Sequence, residues 1–362
     1  MRSFATILAA VLIATSAAAQ SETRYTYTEA SDLTLINRLF TDSPNPYVRV
    51  DTVRFKGFTK GENGQVRMST GIAVVFKTNA KSISVLTRYG SIIGRPSDTN
   101  GISARGYDLY IRRDGQWLYA ASGAPSEKEL DKPLTLISNL DGQEHECLMY
   151  LPLNSEEYSV KIGVPEGSEL KPMANPFRHR VAVFGSSFTQ GASTSRSGML
   201  YPAQLERMTG IEFPSLGCCG NSKLQSYFAE ALAEVECDAF LFDAFSNPSQ
   251  AMIRERLFPF IEIIQAKHPG KPLIFQRTIR RESCNFNTRN AASEASRIAL
   301  TDSLMAVAMK KYKDVYYIYP NATSKDHSAS VDGTHPSNYG YTLWAESIKK
   351  PVLKILKKYG LD

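Results

Sequence analysis

Residues 181–191 read VAVFGSSFTQG and place a short apolar run directly before a glycine turn. The first four residues are all apolar, which is typical of a strand buried on both faces. Gly185 ends the run, and the hydroxyl side chains of Ser186 and Ser187 follow it where a helix can begin. The stretch therefore predicts a strand–turn–helix unit, the building block of a parallel sheet covered by helices.

The same alternation continues to the end of the chain. Further apolar runs typical of strands lie at 239–242, 273–275 and 315–319, and helical spacing occurs at 200–208, 253–264, 293–309 and 343–356. Strands that alternate with helices predict a flavodoxin-like α/β domain with a parallel sheet over residues 178–362. Ligands of such sheets bind outside the carboxyl ends of the strands, so we expect the chemistry in the loops there.

The N-terminal half has a different period. Residues 25–170 contain short runs rich in β-branched and aromatic residues, such as GIAVVFK at 71–77 and YDLYIR at 107–112, separated by turns such as RDG at 113–115. This pattern predicts an antiparallel β-sandwich. We expect one short helix near residues 33–39 and a proline-rich linker over residues 166–176.

The composition and the N-terminal residues limit the classes of protein to which this chain can belong. The chain has 362 residues, of which 43% are apolar and 22% charged, and its formal charge is +6. The lysines of the last predicted helix indicate either a solvated face or attraction to an acidic polymer, and no nucleic-acid partner is expected. Residues 1–20 resemble a secretory signal peptide. Because no apolar run is long enough to span a bilayer, we expect export to the periplasm or the exterior without membrane insertion.

The five cysteines and five histidines show no metal-ligand spacing, and no nucleotide-binding fingerprint is present. We therefore expect neither a metal nor a cofactor. An odd number of cysteines leaves at least one thiol outside any intrachain disulfide. Two interpretations stay open: buried small apolar residues, or a disulfide that involves Cys218 or Cys219 in an oxidising compartment.

Four loops carry residues suited to acyl chemistry. Ser187 follows a predicted strand at a helix N-terminus, where backbone N–H groups favour developing negative charge, although a serine there can also be a simple helix cap. Gly220 lies in the glycine-containing loop LGCCGNS at 216–222, and Asn247 lies between a predicted strand and Pro248. Taken alone, the second loop is a turn before a helix, and Asn247 suits a helix cap as well as a site.

The fourth loop, VDGTHPS at 331–337, precedes the last predicted helix. His335 is suited to accept a proton near neutral pH. Asp332, three residues earlier, can curl back to the imidazole, hold its tautomer and stabilise its cation. A purely structural role for the pair is the alternative.

The order Ser, Gly, Asn, Asp-x-x-His along one chain resembles the SGNH (GDSL-like) hydrolases. This resemblance implies a serine esterase with Ser187 as nucleophile, His335 as base and Asp332 as the residue that orients it. It also implies an oxyanion hole made by the backbone N–H groups of Ser187 and Gly220 and the Asn247 amide. Two positions depart from the family pattern: Ser186 stands where an aspartate is usual, and FSNP at 245–248 replaces Gly-x-Asn-Asp.

A narrower resemblance covers nearly the whole mature chain. Residues 106–110 read GYDLY, which resembles the motif of the GxDLY domain that precedes a subgroup of SGNH hydrolases. The nucleophile turn of that subgroup, Gly-x-Ser-x-Thr-x-Gly, is matched at 185–191. The residues alone favour a half-buried strand at 107–112, and the alternative is that Asp108 or Tyr110 reaches the active-site cleft.

These observations predict a secreted esterase that removes short acyl groups, acetyl first, from a small-molecule or polysaccharide ester, with carbohydrates as the expected substrates. A lipase or thioesterase of the same fold is the alternative within enzymes, and a non-catalytic glycan-binding protein is the alternative outside them. Arg277, Arg280 and Arg281 follow a predicted strand. If they face the cleft they favour acidic or polyhydroxyl substrates; otherwise they belong to a solvated loop.

Overall fold

The computed structural model describes residues 23–92 and 97–362, so the predicted signal peptide lies outside the described residues. The strands are β1 Tyr25–Glu29, β2 Thr34–Ile36, β3 Ala73–Thr78, β4 Ser82–Ile92, β5 Tyr107–Arg113, β6 Gln116–Gly123, β7 Leu134–Ser138, β8 His145–Tyr150, β9 Ser155–Pro165, β10 Leu170–Pro172, β11 Arg178–Gly185, β12 Ile211–Glu212, β13 Ser215–Gly217, β14 Ala239–Asp243, β15 Leu273–Gln276 and β16 Val315–Ile318. The helices are α1 Lys60–Val66, α2 Gly101–Arg105, α3 Ser187–Gln190, α4 Tyr201–Thr209, α5 Ser226–Ala233, α6 Gln250–Lys267, α7 Thr288–Lys311 and α8 Asn338–Leu356. Within the described ranges, none of these helices combines the length and the hydropathy needed to cross a bilayer.

The N-terminal half consists of two antiparallel sheets. One has the strand order β1-β9-β4-β7, and the other has the order β10-β3-β8-β5-β6 with β2 paired to β3. Alternate side chains of both sheets, among them Val74, Val85, Leu109 and Ile162, meet in one buried cluster. This alternation follows from the two-residue period of a strand. The predicted antiparallel sandwich is confirmed.

The second sheet is also covered on its outer face. Val75, Tyr110 and Tyr150 form a buried cluster with Leu200 and Ala203 of the C-terminal half. For this reason residues 107–110 are all buried, and the expected half-buried strand was wrong at these positions. The alternating sequence predicts a strand with one buried face, whereas this strand is buried on both faces.

The C-terminal half is built on a parallel sheet in the order β12-β11-β14-β15-β16, with β13 also paired to β11. Phe184 and Phe242 point to one face, where α5, α6 and α7 pack, and Val183 and Leu241 point to the other, where α4 and α8 pack. Two covered faces explain why the strands are continuous apolar runs. The predicted α/β domain with a parallel sheet is confirmed.

Three local expectations differ from the structure. Thr34–Ile36 is a strand paired with β3, not part of a helix, since these residues complete the edge of the second sheet. Leu170–Pro172, in the expected linker, pairs with the other end of β3, where an edge position tolerates proline. Helix α1 was missed although Thr59 and Glu62 form a capping box, which is a signal visible in the sequence.

All five cysteines are free thiols, and four of them are buried. Burial raises the pKa of Cys218 and that of Cys237 to about 12, in each case against nearby basic groups that lower it. The first of the two open interpretations, small buried side chains, therefore describes them, and the disulfide interpretation does not.

Candidate active site

The turn between β11 and α3 presents Ser187 at the carboxyl edge of the parallel sheet. A Cβ on Gly185 would lie 2.0 Å from Thr189 Oγ1, so only glycine fits at the end of the strand. Ser186 is the helix N-cap, and its Oγ accepts from the backbone N–H of Phe188. Ser187 is thus the first residue of the helix, and its own N–H has no acceptor within the helix.

The structure brings Ser187, His335 and Asp332 into one hydrogen-bonded chain. Asp332 Oδ2 lies 2.8 Å from His335 Nδ1, and His335 Nε2 lies 2.9 Å from Ser187 Oγ. Because the carboxylate can only accept, it holds the imidazole proton on Nδ1, and Nε2 is left to accept from the serine hydroxyl. The geometry is that of an activated serine nucleophile.

Asp332 is fixed by its own loop. Its Oδ1 accepts from the backbone N–H groups of Thr334 and His335, at 2.8 and 2.6 Å. Partial burial acts to raise the pKa of Asp332, but the hydrogen bonds from His335 and Thr334 outweigh it, and the net effect is a lowered pKa. The carboxylate therefore stays ionised in the neutral range, as a partner of an imidazolium must.

Gly220 and Asn247 lie on the loops that follow the two neighbours of β11. Gly220 is exposed and has a φ of +68°, a conformation that favours glycine. Asn247 Nδ2 donates to Cys218 O at 3.3 Å and to Ser222 Oγ at 3.1 Å, both in the Gly220 loop. The two predicted donors thus lie on loops that are joined by hydrogen bonds, and the Asn247 amide donates to two acceptors of the Gly220 loop.

The segment before Asn247 is held by two arginines. Arg281 and Arg297 both donate to the backbone carbonyl of Ser246, at 3.1 and 2.6 Å. Arg281 also pairs with Glu294. Arg281, one of the three arginines noted in the sequence, therefore points inward and fixes the loop that carries Asn247, in a chain that lacks the Gly-x-Asn-Asp sequence.

The serine that replaces the usual aspartate has a carboxylate partner from another strand. Both the N–H and the Oγ–H of Ser186 donate to Asp243 Oδ2, at 3.0 and 2.6 Å, and Thr189 Oγ1 donates to the same oxygen at 3.3 Å. Burial is the largest influence on Asp243 and raises its pKa, while these hydrogen bonds act in the opposite direction. Asp243 was not singled out in the sequence because only strand pairing places it beside the turn.

A second carboxylate, Asp98, approaches the histidine from the N-terminal half. Its Oδ2 lies 3.9 Å from His335 Nδ1 and accepts from Ser193 Oγ. Within residues 23–92 and 97–362, ligand atoms of Asp98, Asp332 and His335 lie within 4.8 Å of one another, a spacing that could hold a cation. A cation there would have to displace the Asp332–His335 hydrogen bond. No local motif marks Asp98, since the contact joins distant parts of the chain.

The GYDLY strand contacts the loop that follows the nucleophile helix. Asp108 is fully buried and accepts from Arg196 Nη1, at 2.8 and 2.7 Å to its two oxygens, and from the Gly198 N–H at 2.7 Å. Tyr110 Oη accepts from the same arginine at 2.6 Å. The motif therefore holds the 191–199 loop, which follows the helix that begins at Ser187, and does not contact Ser187, His335 or Asp332 through the hydrogen bonds described.

The comparisons with known proteins agree with this arrangement. Residues 178–354 match the model of the GDSL-like lipase/acylhydrolase family, and residues 24–170 match that of the N-terminal domain of SGNH-hydrolase-type esterases. No curated protein matches the chain.

Three solved structures share the fold over most of the chain. A GDSL-like lipase from Bacteroides ovatus is 34% identical, with a TM-score of 0.87, and the match covers 92% of this chain and 98% of that one. A salicylyl-acyltransferase from a tetracycline biosynthetic pathway is 16% identical, with a TM-score of 0.69 and coverage of 92% and 98%. A family two carbohydrate esterase from Cellvibrio japonicus is 10% identical, with a TM-score of 0.60 and coverage of 92% and 99%. The chain belongs to the GDSL-like lipase/acylhydrolase family of SGNH hydrolases and carries the N-terminal GxDLY domain of its esterase-type members.

Proposed function

We propose that this protein is an exported serine esterase that removes acetyl groups from carbohydrates. The observation that carries the reaction class is the hydrogen-bonded chain from Ser187 Oγ through His335 to Asp332. Such a chain lets the imidazole take the serine proton as the hydroxyl attacks a carbonyl.

The reaction proceeds by two acyl transfers. His335 Nε2 accepts the proton of Ser187 Oγ while that oxygen bonds to the ester carbon, and His335 then returns the proton to the departing alcohol. The negative oxygen of the intermediate is stabilised by the N–H groups of Ser187 and Gly220 and by the Asn247 amide, once this amide releases Cys218 O. In the second transfer His335 takes a proton from water as the water oxygen bonds to the acyl carbon, and it returns that proton to Ser187 Oγ as the bond between this oxygen and the acyl carbon breaks and the acid leaves.

The surroundings of the triad favour a short acyl group. The loop after α3, residues 192–197, reads ASTSRS. A hollow of about 520 Å³ beside the His335 loop is lined mainly by polar side chains, among them Asp98, Asn100, Ser195 and Asn338. A long acyl chain needs an apolar groove, because each buried methylene contributes about 0.8 kcal/mol. Carbohydrate esterases occur among the structures that share this fold, which favours a sugar as the alcohol.

Acyl specificity is tested with p-nitrophenyl esters of increasing chain length and with an acetylated glycan. We expect kcat/KM to fall from acetyl to butyryl to octanoyl, and we expect the glycan to release acetate. A maximum at octanoyl would replace the acetylesterase with a lipase. Failure to turn over any ester would favour the non-catalytic glycan-binding alternative.

Export is proposed from residues 1–20 alone. The basic Arg2, the apolar run and the small residues Ala17, Ala18 and Ala19 form the pattern that a signal peptidase reads. N-terminal sequencing of the protein from culture medium or periplasm should begin shortly after Ala19. A chain that retains Met1 in the cytoplasm would contradict the proposal.

A further inference from the structure

A second cleft opens at the same edge of the parallel sheet as Ser187. It has a volume of about 690 Å³ and lies between the loops that follow β15 and β16 and the first turns of α7. Arg277 and Arg280 line it from the first loop, and Tyr319 and Asn321 line it from the second. None of these four residues belongs to the triad or to the predicted oxyanion hole.

The position of this cleft suits a substrate longer than one unit. Strands β15 and β16 are the second and third neighbours of β11 on one side of the sheet. At about 4.8 Å between strands, their carboxyl ends lie roughly 10–14 Å from the end of β11, where Ser187 stands. A hydrogen bond also connects the cleft to the loop that carries Asn247. Thr278 Oγ1, in the lining of the cleft, lies 2.9 Å from Oγ of Ser246, the residue before Asn247.

The loop side of the cleft combines an exposed aromatic ring with polar groups, whereas its α7 side is lined by apolar residues such as Ala295, Ile298 and Ala299. Tyr319 is 60% exposed, and its ring is supported by Tyr317 at 5.2 Å and by the Arg277 guanidinium at 5.7 Å. Asn321 and Thr323 add amide and hydroxyl groups at the rim. A sugar ring matches such a surface, because its C–H face is apolar and its hydroxyls both donate and accept.

Two ion pairs involve residues that line the cleft. Asp302 pairs with Arg277 at 3.5 Å, and Glu294 pairs with Arg281. Among the described residues, no donor reaches the buried Oε2 of Glu294. Both carboxylates that line the cleft thus have an arginine partner, and the buried Glu294 oxygen that no protein donor reaches favours a ligand with hydroxyl donors.

We propose that this cleft is a subsite for sugar units of the substrate, on the alcohol side of the ester. The proposal rests on the proposed function and names a part of it: a glycan chain extends from Ser187 across the ends of β14 and β15, and a distal sugar packs on Tyr319. Arg277 and Arg280 thereby acquire a role as donors to that sugar.

Replacement of Tyr319 by alanine tests the subsite without altering the triad. With an acetylated cello-oligosaccharide long enough to span both sites, Tyr319→Ala should raise KM about 3- to 10-fold and leave kcat nearly unchanged. With p-nitrophenyl acetate, which has no sugar, both constants should match those of the wild type. The control is Tyr158→Ala, since Tyr158 is also exposed and has the Arg88 guanidinium 5.2 Å from its ring, but lies on the N-terminal sandwich.

Calorimetric titration of unesterified cellohexaose into the Ser187→Ala protein separates this subsite from the proposed function. Binding that weakens in the Ser187→Ala/Tyr319→Ala double variant supports the subsite, even if no acetylated glycan is hydrolysed and the acetylesterase proposal fails. Equal binding by the two proteins overturns the subsite, whichever ester the enzyme prefers. An unchanged KM for the long substrate in Tyr319→Ala overturns it as well.

Discussion

Arg196 and the fully buried Asp108 form a partly buried ion pair that joins the loop after α3 to the N-terminal sandwich. Nη1 of Arg196 lies 2.8 and 2.7 Å from the two carboxylate oxygens, and the aspartate is fully buried. Burial acts to raise the pKa of Asp108, and Arg196 acts to lower it. A buried carboxylate such as that of Asp108 destabilises the folded protein when its oppositely charged partner is removed.

The first prediction therefore concerns Asp108. Asp108→Asn leaves Arg196 without its counter-charge and should destabilise the protein by about 1.5–3 kcal/mol, less than the cost of breaking a fully buried pair because Arg196 is partly exposed. The released 191–199 loop should also lower kcat. Thermal unfolding and p-nitrophenyl acetate turnover measure the two effects, with Asp114→Asn, in the exposed turn that ends the same strand, as the matched control. A variant with wild-type stability would show that the pair does not hold the loop.

The second prediction distinguishes the two adjacent serines. Ser187→Ala should abolish labelling by a fluorophosphonate, because the reagent captures the activated hydroxyl. Ser186→Ala should still be labelled but should lose about 1–3 kcal/mol of stability, since buried Asp243 loses a hydrogen bond and α3 loses its cap. Labelling that persists in Ser187→Ala would move the nucleophile to another residue.

The third prediction concerns the amide of Asn247. Asn247→Ala should lower kcat roughly 10²–10³-fold, the usual cost of one oxyanion donor, with little change in KM. Ser222→Ala removes only one resting partner of that amide and should retain kcat within about 3-fold, because Cys218 O remains. Equal losses in the two variants would mean that Asn247 acts by holding the Gly220 loop rather than by binding the oxyanion.

The fourth prediction concerns pH and stability. Glu206 is fully buried beneath Tyr150, and burial raises its pKa from 4.5 to about 8. The folded protein therefore keeps a proton that the unfolded chain gives up near pH 4.5. This contribution to stability is fully present below that pH, declines as the pH rises and is gone above about 8.

Melting temperature against pH checks this dependence. Glu206→Gln should flatten the decline between pH 4.5 and 8, because glutamine has no proton to lose. Glu230→Gln, on the exposed face of α5, is the matched control. An unchanged slope in Glu206→Gln would assign the decline to other buried groups, of which Glu157, with its pKa also raised to about 8 by burial, is one.

The architecture could be predicted from local patterns. The apolar run before Gly185 indicates a strand covered on two faces, and the alternation of Val160, Lys161 and Ile162 in β9 indicates a strand covered on one. In both cases the information lies within a few residues. The errors came where coverage depends on distant residues. The GYDLY strand is buried on both faces because α4 packs on its outer face. Residues 34–36 form strand β2 because they can pair with β3.

The same division applies to the site. Sequence order alone determined that Ser187, Gly220, Asn247, Asp332 and His335 follow strands or precede a helix at one sheet edge, because parallel topology brings the carboxyl ends of strands together. Only the tertiary structure decided the partners: Asp243 for Ser186, Arg281 and Arg297 for Ser246, Asp98 beside His335 and Arg196 for Asp108. These contacts join residues that are 35 to 237 positions apart, the shortest separation being that of Ser246 and Arg281 and the longest that of Asp98 and His335. Separations of this size produce no periodic pattern in the sequence. The partners of these side chains depend on packing and on charge. Both act between residues that are brought together only when the chain has folded.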